Sequence, residues 1–291
     1  MPVHTAEHLR SEADRLASGY PALLAEAERV AALVAAGVHG RRRPGQGETF
    51  WQYRPYDTSD PSNRIDWRRS ARGDSVFVRD TEWEAANSVY VWRDGGANMQ
   101  WRSSKALPTK RERASVLCLA LASLLMRAGE RCAVLGESER PRAGRVGFER
   151  LAERLSRSDG GPDRLSGKLP AHAKLLLASD FLTDPDGWPG RLATLAARPA
   201  SGVLLHIIDP AEEAFPYKGR MEMRAPGGRL LPFLLGRAER AQAEYQARFA
   251  AHVERIEASA RRLGFAVVRH HTDQSPGPAL SALYQAFEGS R

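Results

Sequence analysis

Apolar residues recur along this chain with two different rhythms. From Thr109 to Ala128 they fall at helical spacing, at Ala114, Leu117, Cys118, Leu121, Leu124 and Leu125, and Gly129 stands where a helix closes. A second long stripe, Tyr245, Phe249, Val253, Ile256, Ala260 and Leu263, predicts a helix from about Arg237 to Leu263 whose other face is charged. Shorter helical patterns cover 146–157, 187–197 and 278–287. Between them stand brief continuous apolar runs at 88–92, 132–135, 174–178, 202–208 and 265–268, the form taken by strands buried on both faces. Strands alternating with helices predict an α/β fold, a mostly parallel sheet with helices on both faces.

The first third of the chain has a different texture. Residues 5–37 read as helix, capped by Thr5, interrupted at Tyr20-Pro21 and ended by Gly37, with Leu9, Ala13, Leu16, Leu23, Ala27, Val30 and Val34 at helical spacing. From Gly40 to Asp80, glycines, prolines and short β-prone runs at 49–53 and 76–78 predict a β-rich subdomain with a long loop. The expected organisation is an N-terminal helical segment, 1–39, a β-rich insertion, 40–85, and an α/β domain, 86–291.

Composition narrows the function less than the pattern narrows the fold. The 291 residues carry 43 Lys and Arg against 35 Asp and Glu, a formal net charge of +8. Such a balance favours acidic partners, but the two signs are interspersed and only five of the basic residues are lysine, which also suits an arginine-rich coding habit. Cys118 and Cys132 sit inside apolar runs, where a thiol behaves as a small hydrophobe, and they make no disulfide framework. No window approaches the roughly 20 apolar residues that span a bilayer, so a cytoplasmic chain without membrane insertion is expected. The sequence contains no G-x-S-x-G, phosphate-binding loop or C-x-x-C, and its eight histidines form no recognisable nucleophile or metal-ligand motif. His270-His271-Thr272-Asp273, after the last strand, is the best polar cluster among them.

Charge, rings and turn formers are densest from Arg54 to Arg72. Asp57, Asp60 and Asp66 are interleaved with Arg54, Arg64, Arg68, Arg69 and Arg72, a pattern suited to bidentate arginine–carboxylate pairs. Tyr56 and Trp67 add flat surfaces for packing or arginine stacking. Either this segment packs the β-rich part onto the α/β domain, or it is a partner-docking surface. Its residues Arg54, Tyr56, Asp60, Ile65-Asp66-Trp67 and Ser70-Ala71-Arg72 resemble the signature of family 58 of the domains of unknown function, whose members carry a von Willebrand A-like domain. Ser59 and Asn63 depart from that wording, standing where glycine and arginine are common.

The resemblance implies where to look for a site. Ligands of open α/β sheets bind at the carboxyl ends of the strands, and Asp94 and Asp180 each follow a predicted strand. A-type domains hold Mg²⁺ there with an Asp-x-Ser-x-Ser loop, a later Thr and a later Asp. Here the loop reads Asp94-Gly95-Gly96-Ala97-Asn98, with glycine and asparagine in place of the two serines. The candidate ligands Asp94, Asn98 and Asp180 therefore make a degenerate metal-ion-dependent adhesion site, with weak Mg²⁺ binding at most and no other cofactor. The plain alternative is that Asp94 and Asp180 cap helices or bind backbone amides. Asp209-Pro210-Ala211-Glu212 reads as a loop shaping the same rim, or as a helix cap.

What the resemblance implies about function is a protein partner, a MoxR-type AAA+ ATPase, with this chain acting as an adaptor and not as an enzyme. Asp94, Asn98 and Asp180 would then form the docking rim, held or extended by Arg54, Tyr56, Asp60, Asp66, Trp67 and Arg72. Two other classes compete. One is a metal-dependent hydrolase or nuclease using Asp94 and Asp180. The other is a nucleic-acid-binding module using Arg41-Arg42-Arg43 with Phe50, Trp51 and Tyr53, although no known nucleic-acid signature is present. Oligomeric state is not encoded in any of these features.

Overall fold

A computed structural model describes residues 44–45, 49–57, 65–73, 75–82, 88–136, 140–157, 160–165, 169, 173–197, 201–224 and 233–289. The helix expected over 5–37, the Arg41–Arg43 loop and Asp60 lie outside the described residues. The described residues fall into two compact units, 44–82 and 88–289.

The smaller unit is antiparallel. Strands β1 (Pro44–Gly45) and β2 (Thr49–Pro55) flank β3 (Phe77–Glu82). The β2–β3 register shifts between Phe50 and Gln52, a bulge in which the β-rich run gains a residue over its partner. A single helical turn, α1 (Trp67–Ser70), lies ahead of β3.

The larger unit runs β4 (Ser88–Arg93), α2 (Lys110–Arg127), β5 (Arg131–Val134), α3 (Gly144–Arg157), β6 (Lys174–Ser179), α4 (Trp188–Ala196) and β7 (Ser201–Ile208). It continues with α5 (Pro210–Ala214), a small hairpin of β8 (Met221–Met223) and β9 (Phe233–Leu235), α6 (Ala238–Arg262), β10 (Phe265–His271) and α7 (Pro276–Gly289). The central sheet has the order β10-β7-β6-β4-β5, and every pairing in it is parallel.

The continuous apolar runs are explained by the two buried faces. Val89, Val91, Leu176, Ala178, Val203 and Leu205 point into a core shared with α2, α3 and α7. Their sequence neighbours Trp92, Leu175, Leu177 and Leu204 join α4 and α6 on the other side. Each strand thus removes both sets of alternating side chains from water, at roughly 25 cal/mol per Å² of apolar surface. Cys118 and Cys132 are buried free thiols, and burial pushes the Cys118 thiol up to about 12. Among the described residues no helix is long and apolar enough to cross a membrane.

Strand order selects one place on this sheet. From β4 the chain steps to β5 on one side and then returns to β6 on the other. The segments after β4 and β5 lead to helices on one face, and those after β6 and β7 lead to helices on the opposite face. The loops leaving β4 and β6 therefore diverge, which opens a crevice at their carboxyl ends.

Candidate functional site

Asp94 and Asp180 stand at that crevice. Arg93 pairs with Ala178 in the β4–β6 register, and the Asp94 amide donates to the Ala178 carbonyl at 2.8 Å. Both aspartates are buried. Asp94 Oδ1 accepts from the Gly96 amide at 2.8 Å, and Oδ2 accepts from the Ser179 hydroxyl at 2.7 Å. Burial raises the Asp94 carboxyl above its usual range, against the lowering effect of those two hydrogen bonds. Asp180 Oδ1 accepts from the Leu182 amide at 2.9 Å, and Oδ2 receives the Lys110 ammonium at 2.7 Å. The loop after β6 turns sharply, with Phe181 at φ 54° and Asp184 at φ 50°, both in the left-handed region that non-glycine residues rarely adopt.

Two further loops close on the same point. Thr109 and Glu112 form a capping box that starts α2 and fixes Lys110 as its first residue. Asp209 caps α5 through a second box with Glu212. Its Oδ2 also accepts from the Ser103 amide at 2.9 Å, tying the segment after β7 to the one before α2. Glu212 turns its other oxygen to Lys110 Nζ. The buried ammonium thus bridges Asp180 and Glu212, with the Trp101 ring centroid 5.8 Å away. Burial alone would lower the Lys110 pKa, but the two carboxylates outweigh it and hold it above the ordinary lysine value.

Both aspartates bind backbone amides, the plain alternative that the sequence left open. Asn98 lies on a 3₁₀ turn, Ala97–Gln100, and its amide nitrogen donates to the Thr183 hydroxyl at 2.9 Å. A Mg²⁺ ion needs near-octahedral oxygen ligation at about 2.0–2.1 Å. All four carboxylate oxygens of Asp94 and Asp180 already accept protein hydrogen bonds, and an ammonium holds the point where Asp180 and Glu212 converge. Among the described residues no group of three or more His, Cys, Asp or Glu is placed to hold a metal ion. This arrangement suits an ammonium and does not fit a divalent ion.

Within the smaller unit, both backbone and side-chain bonds tie the described residues between Arg54 and Arg72. Arg54 lies on β2, and the Tyr56 amide donates to the Val76 carbonyl at 2.8 Å just beyond it. Asp66 caps α1, its Oδ1 accepting from the Arg69 amide at 2.9 Å. Ser70 Oγ donates to the Asp66 carbonyl at 2.8 Å and accepts from the Phe77 amide at 2.9 Å, so one hydroxyl locks the turn to β3. Arginine stacking falls on Phe77, whose ring lies 5.6 Å from the Arg69 guanidinium carbon, while Trp67 is 66% exposed. A four-residue helix that buries none of its side chains leaves the indole in water. Arg72 is exposed as well.

One buried base lies behind the rim. His206 on β7 is fully buried, stacks edge-on with Phe181 at 5.3 Å, and finds no hydrogen-bond partner for either ring nitrogen among the described residues. Burial lowers its pKa to about 4, from 6.5. A base whose folded pKa is depressed costs stability once the unfolded chain begins to take up its proton. The penalty therefore starts as pH falls through 6.5 and is complete near 4. At about 1.4 kcal/mol per pH unit over that span, it reaches roughly 3 kcal/mol. By urea denaturation, His206→Leu should lose roughly 3 kcal/mol less stability than wild type between pH 6.5 and 4, and an identical pH dependence would contradict this assignment.

Lys110, Ser179, Thr183 and the pairing of Glu212 escaped the sequence reading. One signal for Lys110 exists: a lysine at the first position of a capped helix puts a cation at the positive end of the helix dipole, which calls for compensating carboxylates.

Residues 52–255 match the model of a family described as protein of unknown function DUF58, well over half of the chain. The chain belongs to that family. No curated protein matches the sequence significantly.

Proposed function

From its membership of the DUF58 family and the geometry of its strand-end rim, we infer that this chain is a non-enzymatic protein-interaction module with a von Willebrand A-like α/β domain. It works in the cytoplasm as an adaptor for a MoxR-type AAA+ ATPase, in protein maturation or complex assembly. The metal site of that domain type is degenerate here. Asp94, Asn98 and Asp180 shape one docking rim, and Arg54, Tyr56, Asp60, Asp66, Trp67 and Arg72 form or support a second surface.

The observation that carries this reading is the commitment of the rim carboxylates. Both oxygens of Asp94, Asp180, Asp209 and Glu212 are occupied by protein donors. A general base must present a lone pair to the proton it takes; each of these oxygens keeps a second one, but the groups are buried or nearly so and aimed at the loops they hold together. That favours recognition over hydrolysis. The exposed Trp67 supports the second surface, since aromatic side chains dominate binding hot spots.

Co-expression of the tagged chain with the MoxR-type ATPase of the same organism tests the proposal. The two proteins should be recovered together, and Trp67→Ala or Asn98→Ala should deplete the ATPase. Failure of wild type to retain it would count against the adaptor. Divalent-dependent phosphodiester hydrolysis that Asp94→Ala abolishes would instead favour the hydrolase. Nucleic-acid binding that weakens steeply with salt would favour the third class.

A further inference from the structure

The crevice poses a problem of charge. Asp180 and Glu212 arrive from the ends of β6 and β7 and face one another with little access to water. Two buried carboxylates this close do not both stay ionised unless a cation lies between them. A domain that binds a divalent ion solves the problem with that ion. Here the cation belongs to the chain.

We infer that Lys110 is the resident cation of this site: its ammonium, bridging Asp180 and Glu212, stands in for a divalent ion and makes the rim independent of metal. Four observations converge on this. Lys110 is as buried as the carboxylate it meets, 1% exposed like Asp180, so the ammonium is a structural part and not a surface charge that happens to lie nearby. It occupies the first position of α2, against the helix dipole, a placement that needs the two carboxylates and the Trp101 ring around it.

The other two observations concern the oxygen ligands. The loop offers no side-chain oxygen at Gly96, and a Cβ there would come within 2.9 Å of Asp94 Oδ1, so a serine would require the Asp94 carboxylate to shift. Asn98 turns its amide nitrogen, a donor, toward Thr183. Loss of hydroxyls and gain of an ammonium are thus two halves of one replacement, in which proton-mediated bonds join loops that metal–oxygen bonds would otherwise join. This inference borrows from the proposed function only the comparison with an ion-binding A-type domain. Its test uses the isolated chain, so it can fail while the adaptor proposal stands, and the reverse.

Mn²⁺ is titrated calorimetrically into the purified wild-type chain and into Lys110→Ser, which removes the ammonium and leaves room. Circular dichroism checks that the variant folds, and melting curves are recorded for both with and without Mn²⁺. Wild type should give no saturable heat, and its melting temperature should not respond to Mn²⁺ or to a chelator. Lys110→Ser should gain saturable binding with a dissociation constant of about 1 mM or tighter, and Mn²⁺ should raise its melting temperature. Wild-type binding in that range that Asp180→Asn removes would overturn the inference. So would a folded Lys110→Ser that neither binds Mn²⁺ nor is stabilised by it. If that variant does not fold, the wild-type response alone decides.

Discussion

Replacing Lys110 by methionine is expected to lower the unfolding free energy by about 3–5 kcal/mol, the usual cost of removing one partner from a buried charge pair. The loss comes from what remains. Asp180 and Glu212 would face each other without the ammonium that now bridges them. In a unit of this size, the change should lower the melting temperature by roughly 10 °C. Neutralising the carboxylates in the same chain, as Lys110→Met with Asp180→Asn and Glu212→Gln, should recover much of the loss, because no charge is then left unpaired. The pH dependence has a definite sign. The folded pKa of Lys110 is raised, so its contribution is fully present below the unfolded value of 10.5 and is lost as pH rises through the folded value. Urea denaturation across pH 7 to 11 checks both claims, and a variant as stable as wild type at pH 7 would refute them.

Trp188→Ala is expected to cost a similar 3–5 kcal/mol, and to disturb the rim as well. Trp188 is fully buried at the start of α4, edge-on to Phe181 at 4.7 Å and to Trp92 at 5.9 Å. Phe181 directly follows Asp180 and is held at a left-handed φ. Taking away the indole removes the wall that keeps this turn in place. Trp188→Ala should therefore weaken capture of the ATPase even where the protein remains folded. Leu283→Ala, which empties the core on the opposite face of the sheet, should lower stability without that effect. Parallel melting curves and pull-downs separate the two outcomes. Equal loss of capture in both variants would mean that stability alone is being read.

The sheet was legible because its strands are buried on both faces. Continuous runs such as 174–178 have no other stable use in a chain where helical patterns separate them. Helix α2 was legible at both ends, from its start at Thr109, which the structure shows to be the cap, to Gly129 at φ 88°. Adjacency of Asp94 and Asp180 followed from the rule for strand ends once β4 and β6 were neighbours.

The rest depended on distance along the chain. Lys110 meets Asp180 and Glu212 across 70 and 102 residues, and local sequence holds no record of such a meeting beyond the awkward placing of a lysine at a helix start. The β8–β9 hairpin gave no periodic signal, since each strand has three residues and Phe233 and Leu234 remain exposed. The four-residue α1 was hidden inside a motif whose aspartates and arginines drew attention to side-chain pairing, and Asp66 also caps a helical turn. A single side-chain oxygen can serve either purpose, and only the backbone around it decides.

The most direct test of the account is the affinity of the purified chain for the purified MoxR-type ATPase, measured by biolayer interferometry beside Trp67→Ala and Asn98→Ala. The account predicts saturable binding with a dissociation constant of about 10 μM or tighter, weakened by roughly 30-fold in Trp67→Ala, the effect of losing a hot-spot aromatic worth about 2 kcal/mol. Absence of binding by wild type at concentrations of about 100 μM, or binding that neither substitution changes, would contradict it.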